Sequence, residues 1–408
     1  MLLLLLACPP KHPWSEKRVQ MESFEYAHAR IEEAHYDEDM NGVDWDAVYD
    51  ELAPQAKKAK TNAELRPVLV DMFGRLGDSH YGVMPLEVAE GLPMDDVVLG
   101  NGVLDLDVRV VDEQVLVVRS GLDGVEVGWV LERIGDTDLS EWRQARSGMG
   151  PRAIDFRING LLTTGLTGAT TTLSLLDHDD QPVERQVRWA SNDQLMAQIG
   201  NLPPFGVDVR SERVHEDVHL FAINAFMPPI MEPWADTVAL AARDGVSGMI
   251  IDLRGNPGGV SGLSVGMASY LVSEPGQVLG TMISRDSTFN FLVSPRPPEQ
   301  RFEGSVAVLI DSMSASTSEI LAGGLKGIER ARVFGDNSAG MALPSTFETL
   351  PNGDRLQLVL ADLVGPDGER LEGSGVEPHE RIPLSRDALR DGDPVIAAAI
   401  SWIIEDEE

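Results

Sequence analysis

The chain has 408 residues, which is long enough for two or three domains and a sizeable core. It contains 66 Asp and Glu against 33 Lys and Arg, so its formal net charge is −33 at pH 7. A surface this acidic repels nucleic acid and anionic lipid, and a single cysteine excludes both an internal disulfide framework and a cysteine-based zinc site.

The chain begins with an apolar run, MLLLLLAC, that ends at its one cysteine, Cys8. This run resembles a bacterial lipoprotein signal cut before Cys8, which implies a lipid anchor at that residue. The alternative is a clipped or misassigned start, because the run lacks a basic region and is short for a complete signal. We interpret residues 1–17 as a signal remnant and tether. The first reading implies a bacterial envelope protein facing the periplasm or the surface, and the second a secreted or periplasmic protein.

Residues 18–95 predict a small N-terminal helical domain, because their apolar residues recur at helical spacing. The apolar stripes run over residues 21–34, 45–52 and 65–76. Thr61 and Glu64 have the spacing of a capping box before the third stripe. Pro67 instead favours a later start of that helix, and both starts stay open.

The helical domain ends in a polar turn, Gly77-Asp78-Ser79-His80-Tyr81-Gly82. His80 lies in this turn between glycines and not on an apolar stripe. From position alone, a surface-loop histidine is the simpler interpretation. His28 and His35 are interpreted as residues of helix faces.

Residues 96–192 change to short β-rich runs separated by glycines, which predicts a β-rich domain inserted into the chain. The expected strands include 108–110, 115–118 and 170–176. The segment VEVGWVLERIGDTDL at 125–139 resembles the core of a PDZ domain, in which a strand precedes a turn and a helix. A carboxylate-binding loop is not clearly visible near residues 100–102, so the resemblance implies the PDZ-like fold and not the binding of peptide termini.

Residues 193–408 alternate between strand and helix patterns, which predicts an α/β layer with sites at the carboxyl ends of its strands. The expected strands are 218–226, 248–254, 306–310, 332–335 and 355–363, and the expected helices are 229–243 and 261–272. Ser316 follows one strand at the start of a helix, where unpaired N–H groups can face a developing anion. A serine in this position is more often a helix cap.

Two blocks, IIDLRGNPGG at 250–259 and SMSASTSEILAGGLKG at 312–327, resemble signature segments of the C-terminal processing protease and tricorn superfamily of serine peptidases. Further segments at 335–340, 350–353 and 371–378 add to the resemblance, which is strong over roughly residues 207–382. The helical and PDZ-like segments also come in the family's order. The resemblance implies an α/β fold: a crotonase/ClpP-like peptidase core with an N-terminal helical domain and an inserted PDZ-like β-rich domain.

The same resemblance implies site residues. Ser316 corresponds to the nucleophile, and the N–H groups of Thr317 and of the glycine turn, most simply Gly258, would form the oxyanion hole. Members of the Ser/Lys type carry a lysine 25 residues after the nucleophile, where this chain has Met341. A thioether cannot accept the proton. The chain is therefore either inactive or built on the other arrangement of the superfamily.

In that tricorn-like arrangement the base is a histidine preceded by a serine, on the N-terminal side of the PDZ domain. Ser79 and His80 resemble this element, and Glu372 holds the position of the family's carboxylate. Glu377 is the rival carboxylate, but its offset fits the family block less well. A histidine can take and return a proton near neutral pH, and Glu372 could orient it directly or through Ser79. Lys326 is interpreted as a solvated helix residue.

The implied function is hydrolysis of peptide bonds in extended or C-terminal protein segments through an acyl-enzyme, with a peptide or protein as the partner. No metal site or organic cofactor is suggested. The alternative is a catalytically inactive ligand- or peptide-binding protein, because the repeats of interphotoreceptor retinoid-binding protein resemble this fold without needing proteolysis. A third possibility, acyl-thioester chemistry, is opposed by the lack of anything resembling a coenzyme A phosphate site and by the acidic charge.

Overall fold

The computed structural model describes residues 13–89, 102–147, 151–191, 195–197 and 205–405; for residues 13–17, 88–89, 151–153 and 205 it describes the backbone alone. Cys8 and most of the expected signal and tether lie outside the described residues. The expected domain limits near residues 95 and 192 also fall in stretches outside them and stay predictions.

The N-terminal part is helical. It contains α1 (Pro13–Ala34), a 3-10 turn (Met40–Gly42), α2 (Trp45–Ala56) and α3 (Asn62–Gly74). Their apolar stripes meet in one core, whose fully buried members include Phe24, Ile31, Leu52, Leu65 and Leu69. Thr61 caps α3 by accepting the N–H of Glu64, so the later start favoured by Pro67 is wrong. The cap fixes the first turn, and the proline lies inside the helix.

A short strand and helix, β1 (Gly82–Met84) and α4 (Leu86–Ala89), follow the polar turn. The next part is β-rich. Its strands are β2 (Gly102–Val103), β3 (Leu106–Val111), β4 (Gln114–Ser120), β5 (Val130–Ile134), β6 (Thr137–Asp138), β7 (Thr170–Leu176), β8 (Pro182–Arg188) and β9 (Ala190–Ser191). Its helices are α5 (Leu139–Gln144) and α6 (Pro151–Leu161).

The main sheet of this part is antiparallel, in the order β3–β4–β5–β7–β8, with β6 paired to β5. The sheet and helix α6 enclose a core of their own, which includes Leu106, Val117, Leu131, Ile158 and Leu173. The runs expected as strands at 108–110, 115–118 and 170–176 are strands here.

The remainder of the chain is mixed α/β. Its strands are β10 (Leu195–Ala197), β11 (Phe205–Val207), β12 (Val209–His215), β13 (Val218–Ile223), β14 (Gly248–Asp252), β15 (Val278–Ile283), β16 (Thr288–Leu292), β17 (Ser305–Ile310), β18 (Arg332–Gly335), β19 (Ser345–Thr349), β20 (Arg355–Val359), β21 (Asp362–Val364) and β22 (Glu380–Arg381). Its helices are α7 (Met231–Asp244), α8 (Gly262–Ala268), α9 (Thr317–Gly327) and α10 (Pro394–Glu405), with 3-10 turns at Pro228–Ile230 and Pro298–Gln300.

The central sheet has the order β12–β13–β14–β17–β18–β22, and all its pairs except β12–β13 are parallel. Helices α7, α8 and α9 cover one face, and α10 covers the other. Strands β13 and β14 are consequently buried at every position, as expected for a parallel sheet covered on both faces. The carboxyl ends of β14 and β17 lead into the glycine turn at 255–259 and the loop before Ser316.

The N-terminal part is joined to this core by strand pairing. Strand β1 pairs antiparallel with β20, with Val83 opposite Leu356, in a sheet of order β1–β20–β19. The strand expected over 355–363 is therefore two strands, because β20 joins this sheet and β21 pairs with β15. The pairing of β1 brings the polar turn at 77–81 against the core. Over the described stretches of the chain, no helix combines the length and apolar character that crossing a bilayer requires.

Candidate active site

Ser316 lies between β17 and α9, directly before the first residue of the helix. Its backbone has φ 55° and ψ −115°, a combination that residues with side chains rarely adopt. The Ser316 N–H donates to the carbonyl of Met341 at 2.8 Å and to Glu319 Oε2 at 2.9 Å. These two acceptors hold the serine in its strained conformation at the strand-to-helix turn.

Glu319 is a functional candidate that the sequence analysis did not identify. Its carboxylate is fully buried and also accepts hydrogen bonds from Ser338 Oγ at 2.6 Å, Gly340 N at 2.7 Å and Met341 N at 3.1 Å. Burial raises the pKa of Glu319, and the hydrogen bonds oppose that rise. Glu319 therefore fixes the loop at 338–341 to the nucleophile's backbone. The three-residue spacing from Ser316, typical of a capping box, could have indicated it.

The turn after α3 and the segment around residue 372 meet in a second cluster. Glu372 Oε1 accepts the N–H of Ser79 at 2.7 Å, and Oε2 accepts the Ser79 hydroxyl at 2.8 Å. Ser79 Oγ is also 2.8 Å from Nδ1 of His80. Because the one hydroxyl proton goes to Glu372, the proton in the second contact must come from His80 Nδ1. This tautomer leaves Nε2 of the neutral imidazole free to accept a proton.

His80 is held in a conformation suited to this role. Its φ is 61°, in the left-handed region that few non-glycine residues adopt, so the surrounding contacts must hold the backbone there. Burial lowers the pKa of His80, and the negative charge of Glu372 acts in the opposite direction. The imidazole is therefore in its neutral, proton-accepting form at neutral pH.

One peptide group connects the two clusters. The carbonyl of Met341 accepts from Ser316 N, and the adjoining N–H of Ala342 donates to Glu372 Oε2 at 2.9 Å. Met341, which stands where members of the Ser/Lys type have a lysine, thus contributes its backbone to the site and not its side chain. Among the described residues no hydrogen bond joins Ser316 Oγ to His80, and such catalytic contacts are often long before substrate binds.

Two backbone N–H groups near Ser316 take part in no hydrogen bond within the described part of the chain. One is that of Thr317, the first residue of α9. Gly258, with φ 100°, lies against this N–H group. A Cβ added to Gly258 would be 2.9 Å from Thr317 N and 2.8 Å from Ser316 Cβ. The Gly258 N–H, however, donates to Asn256 Oδ1 at 2.9 Å, which contradicts its expected role as an oxyanion donor. The second unengaged N–H is that of the next residue, Gly259.

Asp311 organises both loops at the carboxyl ends of the strands. Its Oδ1 accepts the N–H groups of Gly255 at 2.9 Å, Met313 at 2.9 Å and Ser314 at 3.1 Å. Its Oδ2 accepts from Arg109 Nε at 3.0 Å, and both side chains of this ion pair are largely buried. Since Arg109 belongs to β3, the β-rich part of the chain contacts the loops that precede the nucleophile and the glycine turn.

Two other charged residues lie outside this arrangement. Glu377 is exposed, and its carbonyl accepts from Lys326 Nζ at 2.8 Å. The structure therefore brings Glu372, and not Glu377, against Ser79. Lys326 makes this exposed hydrogen bond from the last turn of α9.

Residues 219–382 match the profile of Peptidase family S41, and residues 18–74 match that of the Tricorn protease C1 domain. A probable CtpA-like serine protease of Staphylococcus haemolyticus (strain JCSC1435) is 22% identical over 238 residues, which are 58% of this chain and 47% of that protein. The chain therefore spans about half the length of this relative.

Two solved structures cover nearly the whole chain. The photosystem II D1 C-terminal processing protease superposes with a TM-score of 0.56 at 17% identity, over 93% of this chain and 96% of that one. Mature CPAF complexed with lactacystin superposes with a TM-score of 0.58 at 15% identity, over 96% and 100%. At these identities the likeness concerns the fold, and it confirms the mixed α/β architecture expected from the sequence.

Proposed function

Since residues 219–382 belong to peptidase family S41, we propose that this chain is a serine peptidase in which Ser316 is the nucleophile and His80 the general base. One observation carries the proposal. Glu372 binds both the N–H and the hydroxyl of Ser79, whose oxygen contacts His80 Nδ1, and the same carboxylate binds the peptide group that holds Ser316. Residues almost 300 positions apart in sequence thereby form one acid–base arrangement.

The proposed reaction follows from this arrangement. His80 Nε2 takes the Ser316 Oγ proton while Oγ bonds to the carbonyl carbon of the scissile peptide. Unengaged N–H groups at Thr317 and Gly259 stabilise the oxyanion of the tetrahedral intermediate. His80 then gives its proton to the leaving amine as the C–N bond breaks, leaving an acyl-enzyme. Water then attacks the ester as His80 takes its proton, and His80 returns that proton to Ser316 Oγ as the ester C–O bond breaks and the second product leaves.

The negative charge of Glu372 stabilises the imidazolium in both halves of this cycle, acting through the Ser79 hydroxyl. Proton transfer by a positioned side chain contributes roughly 10²–10⁴-fold to the rate. Met341 needs no basic side chain in this scheme, because His80 supplies the base from the other end of the chain. The comparisons do not favour the alternative of a catalytically inactive binding protein.

We further propose a crotonase/ClpP-like core at 193–408, a helical domain at 18–95 and a PDZ-like insertion at 96–192. The parallel sheet covered on both faces and the separate antiparallel sheet with its own core support this division. Extended or C-terminal protein segments are the proposed substrates, and the name of the D1 C-terminal processing protease supports that class. Lipid anchoring at Cys8 in the bacterial envelope stays a proposal from sequence.

A serine-directed fluorophosphonate tests the proposed function. We expect it to label the full chain at Ser316, as located by peptide mass spectrometry, and we expect His80→Ala to lose the labelling. His215→Ala is the matched control, because His215 is a partly exposed histidine on β12 and should leave labelling unchanged. Absence of labelling in the unmodified chain, or labelling at another serine, would contradict the proposed function.

A further inference from the structure

A buried carboxylate lies directly before the proposed catalytic pair. The side chain of Asp78 is 5% exposed. It accepts hydrogen bonds from His35 Nε2 at 3.1 Å, the Tyr36 hydroxyl at 3.0 Å and Asn41 Nδ2 at 2.8 Å. All three donors come from the short segment that follows α1. The end of the first helix thus fixes the residue next to Ser79, a role that the sequence pattern at His35 did not indicate.

The Tyr36 hydroxyl also connects Asp78 to the segment that carries Glu372. Arg370 Nη2 donates to this hydroxyl at 2.6 Å and lies 3.6 Å from Asp78 Oδ1. On its other side, Arg370 Nε binds both carboxylate oxygens of Asp362 in β21, at 2.8 and 2.9 Å. Arg370 is therefore held between a core strand and the N-terminal helical part.

The contact between Asp78, Tyr36 and Arg370 matters because two of these residues lie close in sequence to the proposed catalytic residues. Asp78 lies two residues before His80, and Arg370 lies two residues before Glu372. The base and its carboxylate are thus joined twice, once through Ser79 and once through Tyr36. A second connection matters because His80 has a positive φ, which persists only where its surroundings over-determine it. A displacement of about 1 Å can cost a catalytic arrangement roughly 100-fold in rate.

We propose that Asp78, Tyr36 and Arg370 form a brace that positions His80 against Ser79 and Glu372 for proton transfer. None of the three touches the reacting atoms, so they are positioning residues. The inference rests on the proposed function, and it adds that the helical part of the chain helps to build the acid–base machinery. The partly buried Tyr36 hydroxyl carries the inference, because this group accepts a hydrogen bond from Arg370 and donates one to Asp78.

Tyr36→Phe in the full chain is the first test, because it removes one oxygen and keeps the ring. We expect kcat on a peptide substrate to fall roughly tenfold, with KM within about twofold, since transition-state geometry is lost and substrate contacts are kept. The rate of fluorophosphonate labelling should fall by the same factor. Arg370→Gln should act similarly, and the double variant should be no worse than the single ones, because both break the same chain of hydrogen bonds.

Arg30→Gln is the matched control for loss of a contact between the first helix and the core. Arg30 Nη2 binds Glu348 Oε1 in β19 at 2.7 Å, so this pair also ties α1 to the core, but it does not reach Asp78. We expect Arg30→Gln to lower the unfolding midpoint and to leave kcat unchanged. A wild-type kcat in Tyr36→Phe, or an equal loss of kcat in Arg30→Gln, would overturn the proposal.

Nitrogen NMR of histidine-labelled protein supplies a readout that does not depend on activity. The structure requires the Nδ1–H tautomer at His80, and we expect Tyr36→Phe to give a mixture of tautomers as the contact with Ser79 loosens. An unchanged tautomer would overturn the brace. Failure of the unmodified chain to label at Ser316 would count against the proposed function alone, because the tautomer reports on His80 in either case.

Discussion

Arg109 and Asp311 form a largely buried ion pair, 202 positions apart in sequence, with Nε and Oδ2 separated by 3.0 Å. The pair connects β3 of the β-rich part to the loop that precedes Ser316. Since Asp311 also accepts three backbone N–H groups on both sides of the site, the position of Arg109 influences the nucleophile and the glycine turn together.

Arg109→Met should therefore lower both stability and activity. The substitution leaves Asp311 as a buried carboxylate without its cation, and breaking a buried pair in this way costs about 3–5 kcal/mol. We expect a lower urea midpoint and slower fluorophosphonate labelling of Ser316 in the residual folded protein. The control is Arg18→Gln, because Arg18 and Glu22 form an exposed pair whose loss should cost less than about 1 kcal/mol. Equal effects of the two substitutions would contradict this role.

Ser79→Ala should reduce kcat far more than it reduces stability. The change removes the oxygen that joins His80 Nδ1 to Glu372 and keeps the backbone N–H contact to the same carboxylate. A hydrogen bond to a charged group contributes about 1.5–3 kcal/mol, which corresponds to a loss of roughly 10–150-fold in rate. Steady-state kinetics with a peptide substrate measure this loss. A wild-type kcat in Ser79→Ala would show that Glu372 does not act through the serine.

The acid limb of the pH profile should report on His80. The reaction needs the neutral imidazole, so kcat/KM falls as His80 is protonated. Because burial lowers the pKa of His80, the midpoint should lie below the ordinary histidine value of about 6.5. The free energy of unfolding should decrease on the acid side, as kcat/KM does. As pH falls through about 6.5, the unfolded chain binds the His80 proton before the folded chain does, and this favours unfolding.

Glu372→Gln should move this acid limb to still lower pH. The carboxylate raises the pKa of His80, so its neutralisation leaves the lowering effect of burial unopposed. The maximal rate should fall at the same time, because the imidazolium loses its stabilising charge. The measurement is kcat/KM against pH for both proteins. A midpoint that moves to higher pH in the variant would contradict the assignment of Glu372.

Gly258→Ala should abolish labelling of Ser316. An added Cβ would lie 2.8 Å from Ser316 Cβ and 2.9 Å from Thr317 N, so the nucleophile or the glycine turn must move. The control is Gly276→Ala, because Gly276 has a similar φ of 88° with nothing within 4 Å of the added carbon. It carries the backbone strain of about 1–2 kcal/mol without the contact. If both variants label at the same rate, the close approach is not needed for activity.

Local patterns in the sequence were sufficient for much of the fold and for part of the site. Mostly apolar runs predicted the buried strands β13, β14 and β17, because a parallel sheet covered on both faces buries the side chains on each of its faces. The placement of Ser316 at a strand-to-helix turn followed from the same runs. Resemblance in short blocks, and not periodicity, indicated Ser79, His80 and Glu372.

Other features could not be decided from the local sequence. Pro67 suggested a later helix start because its ring disfavours helix interiors, but the Thr61 cap determined the outcome. Gly258 was expected to donate to the oxyanion, and only the folded structure shows that Asn256 Oδ1 accepts its N–H. Likewise, the pattern around His35 gives no indication that its Nε2 binds Asp78, because that contact depends on the packing of α1 against the turn.

The sequence by itself determined much of the helix and strand pattern, and which residue types are available for chemistry, because these depend on near neighbours and on apolar periodicity. The tertiary structure alone decided which of them meet. It pairs β1 with β20, brings Ser79 to Glu372 and inserts Arg109 against Asp311. These contacts join residues roughly 200–300 positions apart, and their energies depend on burial and hydrogen-bond geometry that exist only after the chain has folded.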